Sequence, residues 1–369
     1  MTSRAALVLE DGSIFRGESF GAPIDGEGEV VFNTCMTGYQ EIATDPSYGG
    51  QIVTLTYPLI GNYGIAHAHE ESRRPWIAGL IVREYYADPS NWNSHGALGP
   101  FLQRHGIPAF QGIDTRALTR HLRARGTLRA VMVSDAVGIP DAELVARARR
   151  VTPLSEKDLV AQATIVKTVE WQVEPASAAG KHVVVVDCGI KENILRSLAR
   201  RGVRITEVPF TASAAEVLAL RPDGIVVSNG PGDPARLTDC VATMSALLTS
   251  RVPIMGICLG HQILGQALGG TTSRLPFGHH GGNHPVQDTR TGRVHITSQN
   301  HEFQVDPDSI DPKTGFYVSQ INLNDRSVEG LAHESWPVFS VQYHPEGAPG
   351  PQDNQNLFDR FISHCEKAQ

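Results

Sequence analysis

A cysteine between two glycines is the residue of this chain best suited to nucleophilic chemistry. Cys258 follows an apolar run typical of a buried strand and precedes a helical pattern, with Gly256 and Gly260 two residues to either side. Glycines at this spacing allow the sharp strand-to-helix turn that raises a nucleophile above a sheet. At a helix N-terminus the dipole and the unpaired N–H groups stabilise a thiolate, which is the nucleophilic form. Cys258 is therefore predicted to be a nucleophile.

Two other segments carry the groups that such a nucleophile needs. Near the end of the chain, a strand-like alternation leads into His344-Pro345-Glu346. His344 could act as the general base and Glu346 could orient its imidazole, which completes a candidate triad with Cys258. Upstream, a buried-strand pattern opens into a glycine loop around Gly230, whose free N–H groups could face an oxyanion. A lone cysteine is more often a packing residue, but the three segments together favour catalysis.

The elements that must position these groups alternate between strand and helix in the second half of the chain. This rhythm predicts a doubly wound, mainly parallel α/β sheet over residues 181–369. Ligands bind such sheets beyond the carboxyl ends of the strands. Both Gly230 and Cys258 lie just past a predicted strand end, so the predicted fold and the predicted site agree.

The first half, residues 1–150, is richer in strands and predicts a mixed β/α domain. Asp11-Gly12 is a strong hairpin signal between two strand patterns, and helical patterns cover 96–104, 114–125 and 141–150. Residues 151–180 have weak periodicity, and their Pro-, Ala- and Gly-containing end is typical of an interdomain linker. The boundary between the two domains is therefore predicted there.

Composition excludes several classes of function. The chain has 369 residues and a formal charge of −7, with no basic block and no long apolar run, so neither nucleic acid nor a membrane is expected as a partner. Without a signal-peptide pattern, a cytoplasmic protein is expected. Five scattered cysteines predict reduced thiols. His279, His280 and His284 lie among glycines in a predicted flexible loop, and no metal site is expected there.

The motifs also resemble a known family. The combination of G-I-C-L-G-H-Q at 256–262 with the downstream H-P-E resembles the triad-type, class I glutamine amidotransferases. Further motifs resemble the small, glutamine-hydrolysing chain of carbamoyl-phosphate synthase over nearly the whole length. They are N-T-C-M-T-G-Y-Q-E at 33–41, T-D-P-S-Y at 44–48, Q-I-V-T-L-T-Y-P at 51–58, G-I-D-T-R at 112–116, S-N-G-P-G-D-P at 228–234 and G-H-H-G-G-N-H-P at 278–285.

The resemblance implies hydrolysis of L-glutamine to glutamate and ammonia through a thioester on Cys258. By this resemblance, His344 moves the proton, Glu346 holds the imidazole, and the N–H groups of Gly230 and Leu259 bind the oxyanion. The implied glutamine-binding residues are Ser47, Gly230, Gly232, Leu259, Gln262, Asn300 and Phe303. Glu302 stands where the family usually has glycine, which predicts a local difference in the backbone if positive φ is needed there.

The resemblance also implies a partner. The sequence has no phosphate-binding G-x-x-x-x-G-K-[ST] loop, so no cofactor is expected in this chain, and ATP and Mg²⁺ are expected in a large synthetase chain that forms a heterodimer with it. The alternatives are an amidotransferase for another acceptor, a non-catalytic docking subunit, and a secreted γ-glutamyl peptidase. The 33–48 motifs disfavour the first, the complete triad disfavours the second, and the lack of a signal peptide disfavours the third.

Overall fold

The computed structural model describes residues 4–171 and 180–367 and divides the chain into two units. The N-terminal unit comprises Met1–Leu159 and Pro276–Gly281, and the C-terminal unit comprises Val160–Leu275 and Gly282–Gln369. Among the described residues, no helix is both long enough and apolar enough to cross a membrane.

A closed barrel of seven strands forms the N-terminal unit, in the order β1-β2-β8-β6-β4-β3-β9, and β5 and β7 pair separately. The strands are β1 Arg4–Leu9, β2 Ile14–Ser19, β3 Gly26–Asn33, β4 Gln51–Leu55, β5 Leu59–Ile60, β6 Gly79–Ile81, β7 Glu84–Tyr85, β8 Ala109–Gln111 and β9 Leu128–Val133. The helices are α1 Tyr39–Thr44, α2 Leu98–Arg104, α3 Thr115–Arg125 and α4 Asp141–Arg149, with 3-10 turns at Pro46–Tyr48, His67–His69 and Leu154–Glu156.

The mixed β/α character predicted for this half is confirmed, and the capping residues explain the length of its longest helix. The Asp114 carboxylate accepts the Ala117 N–H at 2.9 Å at the start of α3. At the other end, Gly126 has a φ of 88° and donates its N–H to the carbonyl of Leu122. These contacts satisfy backbone groups that helix ends leave unpaired.

The C-terminal unit is built on a ten-stranded sheet in the order β10-β12-β11-β13-β14-β19-β18-β17-β15-β16. The strands are β10 Val169–Trp171, β11 His182–Asp187, β12 Arg204–Pro209, β13 Gly224–Val227, β14 Ile254–Ile257, β15 Thr272–Asp288, β16 Val294–Val305, β17 Phe316–Asn322, β18 Val328–His333 and β19 Val338–Val341. The helices are α5 Val160–Ala163, α6 Glu192–Ala199, α7 Ala214–Ala219, α8 Thr238–Thr249, α9 Leu259–Ala267 and α10 Asn356–Lys367, with 3-10 turns at Pro234–Arg236, Pro307–Ser309 and Pro312–Thr314.

Both faces of the central sheet are buried, as a doubly wound fold requires. The strands β12, β11, β13, β14 and β19 run parallel. Along β11, Val183 and Val185 belong to a core cluster that includes Phe361 of α10, whereas Val184 and Val186 belong to a second cluster that includes Met244 of α8. Successive strand residues point to opposite faces, so the run of valines supplies a core on each side.

The two units divide between Leu159 and Val160, inside the segment 151–180 predicted as a linker, but residues on both sides of this division belong to the units themselves. Val151 and Leu154 are buried in the N-terminal unit, where the Leu154 N–H donates to Glu29. The C-terminal unit begins at Val160 instead of 181, and its strand β10 pairs with β12. The 3-10 turn Leu154–Glu156, the helix α5 and the strand β10 in this segment are three or four residues long, too short to show a periodic pattern in the sequence. Residues 172–179 of the predicted linker lie outside the described residues.

The predicted loop around the clustered histidines is also wrong, since residues 276–281 belong to β15 and to the N-terminal unit. There, Thr34 donates its N–H to the carbonyl of His280 at 3.2 Å, and the His280 ring lies 5.8 Å from that of Tyr48. His279 and His280 are both buried. These contacts of His280 hold the segment in a strand, although its glycines would make the isolated backbone flexible.

A buried carboxyl group on β12 is expected to make stability depend on pH. Glu207 is 5% exposed, and burial, with the charges of Asp187 and Glu192, raises its pKa from 4.5 to about 7. Its folded pKa exceeds the unfolded value, so its contribution is complete below pH 4.5 and is lost as the pH rises through 7. Glu207→Gln is therefore expected to raise the free energy of unfolding at pH 8 by about 1–3 kcal/mol, with little effect at pH 4.5.

Calorimetric melting temperatures of both proteins between pH 4.5 and 8 measure this effect. Glu170→Gln, an exposed glutamate on the neighbouring strand β10, is the matched control. A Glu207→Gln protein that gains no more stability at pH 8 than this control contradicts the prediction.

Candidate active site

The chain reverses sharply at Cys258, between β14 and α9. The residue has φ 53° and ψ −102°, and such a positive φ is strained for any residue except glycine. A Cβ on Gly260 would lie 2.1 Å from the Val227 carbonyl oxygen, and one on Gly256 would lie 2.7 Å from the Gly260 oxygen. Only glycine fits at these two positions, so the crowded turn predicted from the sequence is present.

Hydrogen bonds hold this turn in place. The N–H of Cys258 donates to the carbonyl of Val341 on β19 at 2.8 Å, and its own carbonyl accepts the N–H of Gln262 at 3.1 Å. Its side chain is 3% exposed. The Sγ–H donates to the Asn300 carbonyl at 3.6 Å, and the Gln342 side-chain amide donates to Sγ at 3.7 Å. The sulfur therefore lies at the start of α9 with a fixed set of polar neighbours.

The histidine and carboxylate of the predicted triad form a buried pair just after β19. Nδ1 of His344 lies 2.6 Å from Oε1 of Glu346, and the side chains are 1% and 0% exposed. A carboxylate only accepts hydrogen bonds, so Nδ1 carries the proton. Nε2 is then the atom left for chemistry, and it is buried without a hydrogen-bond partner among the described residues. The hydrogen bond between a catalytic base and its nucleophile, here Nε2 of His344 and Sγ of Cys258, often forms fully only when substrate binds.

A buried lysine that the sequence analysis missed completes this charge cluster. Nζ of Lys191 lies 3.0 Å from Oε1 of Glu346 and donates to the Gly347 carbonyl at 2.6 Å. Its side chain is 2% exposed. Lys191 lies between β11 and α6, just past the end of a strand, as Gly230 and Cys258 do. This position was the one sequence signal that could have marked Lys191 as a site residue. The sequence could not identify Glu346 as the ion-pair partner of Lys191, because the two residues are far apart in the chain.

Charge interactions in this cluster outweigh burial. Burial alone would lower the pKa of His344, but the negative charges of Glu346 and Cys258 raise it to about 10 in spite of Lys191. Burial would raise the pKa of Glu346, but the positive charges of Lys191 and His344 lower it to about 2. At neutral pH the pair is therefore an imidazolium and a carboxylate, an arrangement that stabilises a thiolate nearby.

The predicted oxyanion loop adjoins the start of α9. The N–H of Gly260 donates to the Ser228 carbonyl at 3.1 Å, which links the helix to the end of β13. A Cβ on Gly230 would lie 2.9 Å from Cδ2 of Leu259, so these two residues are neighbours. The first N–H groups of a helix have no partner within the helix. The geometry thus brings Gly230 and Leu259 together beside Cys258. Gly232 follows in the same loop with φ 95°.

Two of the predicted glutamine-binding residues, Gln262 and Asn300, contact Cys258, and a third, Phe303, contacts Gln262. The side-chain amide of Gln262 donates to the Phe303 carbonyl at 2.9 Å and to Oε1 of Gln342 at 3.1 Å. The Asn300 carbonyl contacts the sulfur of Cys258. Ser47 lies in the N-terminal unit, 9% exposed, and its N–H donates to Oδ1 of Asp45 in the 3-10 turn. The binding roles of these residues stay predictions.

Glu302 does not disturb the neighbouring strand. It lies in β16 and is not among the described non-glycine residues with positive φ. Its carboxylate forms an ion pair with Arg274. The backbone at this position therefore does not require glycine. The local difference was expected only if positive φ were needed here, and Glu302 has none.

Two family models match the chain. Residues 184–364 match the family described as glutamine amidotransferase class-I, and residues 7–132 match the family described as carbamoyl-phosphate synthase small chain, CPSase domain. The carbamoyl phosphate synthase small chain of Symbiobacterium thermophilum is 50% identical over 361 residues, which cover 98% of each chain. That of Methanopyrus kandleri is 49% identical over 366 residues, which cover 99% of each chain. The similarity extends over nearly the whole length.

Proposed function

The chain belongs to the carbamoyl phosphate synthase small-chain family, and on that premise we propose that it hydrolyses L-glutamine to glutamate and ammonia through a thioester on Cys258. The observation that carries this proposal is the cluster of Cys258, His344 and Glu346 beside the Gly230 loop. A nucleophile in a tight turn, a base and a group that orients the base are the parts that acyl transfer requires.

The proposed reaction has two stages. The Cys258 thiolate attacks the side-chain amide carbon of glutamine, and a C–S bond forms. His344 delivers its Nε2 proton to the leaving nitrogen, and the C–N bond breaks to release ammonia. Water, deprotonated by the same nitrogen, then attacks the thioester, and the C–S bond breaks to return the thiolate and give glutamate. Glu346 keeps the imidazole oriented throughout and stabilises its positive charge.

Both stages pass through a tetrahedral intermediate with a negative oxygen. The backbone N–H groups of Gly230 and Leu259 are proposed to bind this oxygen. They are part of a fixed loop and a helix start, so they need little rearrangement as the charge develops. Donors arranged in this way typically contribute about 2.7–4 kcal/mol each to lowering the barrier. Backbone donors cannot be removed by a side-chain substitution.

Carbamoyl phosphate synthesis implies a second chain. The family name implies a large chain, and we propose that it receives the ammonia directly and combines it with bicarbonate at the expense of ATP, with Mg²⁺ in that chain. The present sequence carries no phosphate-binding loop of its own. The proposed assembly is a cytoplasmic heterodimer whose product supplies pyrimidine and arginine synthesis.

Carbamoyl phosphate formation by the purified large chain tests this function. With this chain added, synthesis is expected from either glutamine or ammonia, and without it, from ammonia alone. Synthesis from ammonia but never from glutamine would assign the chain to another synthetase or to a docking role.

The glutaminase rate is expected to depend on the partner. The chain alone is expected to hydrolyse glutamine slowly, and the complex to do so faster, because an uncoupled glutaminase would waste its ammonia. Glutamate release is measured with and without the large chain, at saturating glutamine and in the presence of ATP and bicarbonate. Equal rates in the two mixtures contradict the coupling.

A further inference from the structure

The side-chain amide of Gln342 contacts the nucleophilic sulfur, yet no step of the triad mechanism uses it. Nε2 of Gln342 lies 3.7 Å from Sγ of Cys258, within the range of a hydrogen bond to sulfur. The residue is fully buried and directly follows β19. The backbone N–H of Gln342 donates to the Glu329 carbonyl at 2.9 Å. The carbonyl of the preceding residue, Val341, accepts the backbone N–H of Cys258. Backbone bonds therefore fix both partners of this contact.

A relay of hydrogen bonds determines which end of the amide faces the sulfur. The Phe303 carbonyl can only accept, so the atom of Gln262 that contacts it at 2.9 Å is the NH₂ group. The second proton of that group is donated to Gln342 at 3.1 Å, where the acceptor must be Oε1. The NH₂ group of Gln342 is consequently directed at Cys258, and the opposite orientation would set two NH₂ groups against each other.

This donor matters most when the sulfur is charged. In the thiol form, Sγ–H donates to the Asn300 carbonyl at 3.6 Å. After the proton leaves, that carbonyl faces a negative sulfur without a hydrogen between them, which is unfavourable. The Gln342 N–H then becomes a charge-assisted donor, and such bonds are about twice as strong as neutral ones. Cys258 is only 3% exposed, so bulk solvent does not readily supply a substitute for this donor.

We propose that Gln342 is a catalytic hydrogen-bond donor to the Cys258 thiolate, held in that orientation by Gln262. It stabilises the thiolate before attack and again when the thioester C–S bond breaks and the electron pair returns to sulfur. Its role in turnover rests on the proposed glutaminase function, but its effect on the thiolate does not.

Alkylation of Cys258 by iodoacetamide tests the thiolate directly, because this reaction needs no glutamine. The rate is measured from pH 5 to 10 on the full chain, by mass spectrometry of the peptide that contains Cys258. Gln342→Leu keeps the size of the side chain but removes the donor. It is expected to move the midpoint of the pH profile up by about one unit and to slow alkylation about 10-fold at pH values below the wild-type midpoint. The glutamine turnover number is expected to fall about 10- to 100-fold.

Two further variants separate this role from packing. In Gln342→Glu the new carboxylate still accepts the hydrogen bond from Gln262, which preserves the local fold. Its negative charge repels the thiolate, so the midpoint of the pH profile is expected to rise further than in Gln342→Leu. Gln299→Leu makes the same change at another buried glutamine, whose amide contacts Thr297 and Glu329 instead of the sulfur. It is expected to retain the wild-type profile.

The proposal is overturned if both Gln342 variants keep the wild-type midpoint, or if Gln299→Leu shifts it equally. Failure of the proposed function has a different signature. In that case the wild-type chain hydrolyses no glutamine with the large chain present, while the Gln342 variants still shift the alkylation profile.

Discussion

Replacement of Cys258 by serine is expected to reduce glutamine-dependent carbamoyl phosphate synthesis by at least about 10⁴-fold, the scale on which single nucleophile losses act in triad enzymes. The hydroxyl of serine is a much weaker acid than a thiol, so an imidazolium with a pKa of about 10 cannot keep it ionised. The two side chains are nearly equal in size, so the turn and its hydrogen bonds should persist.

Ammonia-dependent synthesis by the same mixture is the control, because it bypasses Cys258. It is expected to proceed at the wild-type rate, which shows that the variant has not damaged the large chain. A variant that retains glutamine-dependent synthesis would refute the nucleophile, and equal loss of both reactions would indicate an assembly defect in place of a catalytic one.

Replacement of Lys191 by methionine is expected to lower the free energy of unfolding of the C-terminal unit by about 3–5 kcal/mol, the usual cost of removing one partner from a buried ion pair. Methionine fills similar space but leaves the carboxylate of Glu346, 0% exposed, with less positive charge nearby. The imidazole is then oriented by a weakened partner, so the glutamine turnover number should fall as well.

The pH dependence of this loss follows from the pKa of Glu346. In the wild type this pKa is lowered to about 2, partly by Lys191, and the unfolded value is 4.5. The carboxylate therefore contributes stability above pH 4.5 that is lost as the pH falls through about 2. Without the ammonium the folded pKa rises, so the variant should lose this contribution at a higher pH. Urea unfolding of both proteins between pH 3 and 8 measures the difference.

Lys181→Met is the matched control for this substitution. Lys181 also forms an ion pair, with Asp223 at 3.3 Å, but the two side chains are 20% and 35% exposed. Partly exposed pairs contribute about 0–1 kcal/mol. If the two variants lose equally little stability, the buried cluster around Glu346 is not the structural element inferred here.

Local sequence patterns were sufficient to select the turn at Cys258 and the His344–Glu346 pair of the candidate triad. Gly256 and Gly260 permit the turn around Cys258 through contacts within a few residues of it, so their spacing is readable in one dimension. His344 and Glu346 are two residues apart and pair directly. The parallel sheet was equally predictable, because strands of four to six residues, rich in valine and isoleucine, alternate with helices.

What escaped prediction depends on partners that are distant in sequence. Nothing near Lys191 indicates that its ammonium lies beside Glu346, and nothing near Gln342 indicates that its amide is oriented through Gln262. The closed barrel of the N-terminal unit was missed for the same reason, since closure depends on which strands pair. Such pairings are set by tertiary packing, which periodicity within a segment does not record.

The segment Pro276–Gly281 has a consequence for how the gene can be divided. Its residue Phe277 is half-buried and packs against a hydrophobic core cluster of the N-terminal unit, with its ring 6.0 Å from that of Phe32. A fragment that ends at residue 159 therefore lacks part of its own hydrophobic core, and the remainder of the chain carries that part without its natural surroundings. Although the chain has two units, simple gene fission cannot yield two self-sufficient proteins, whereas fusion at either terminus leaves both cores complete.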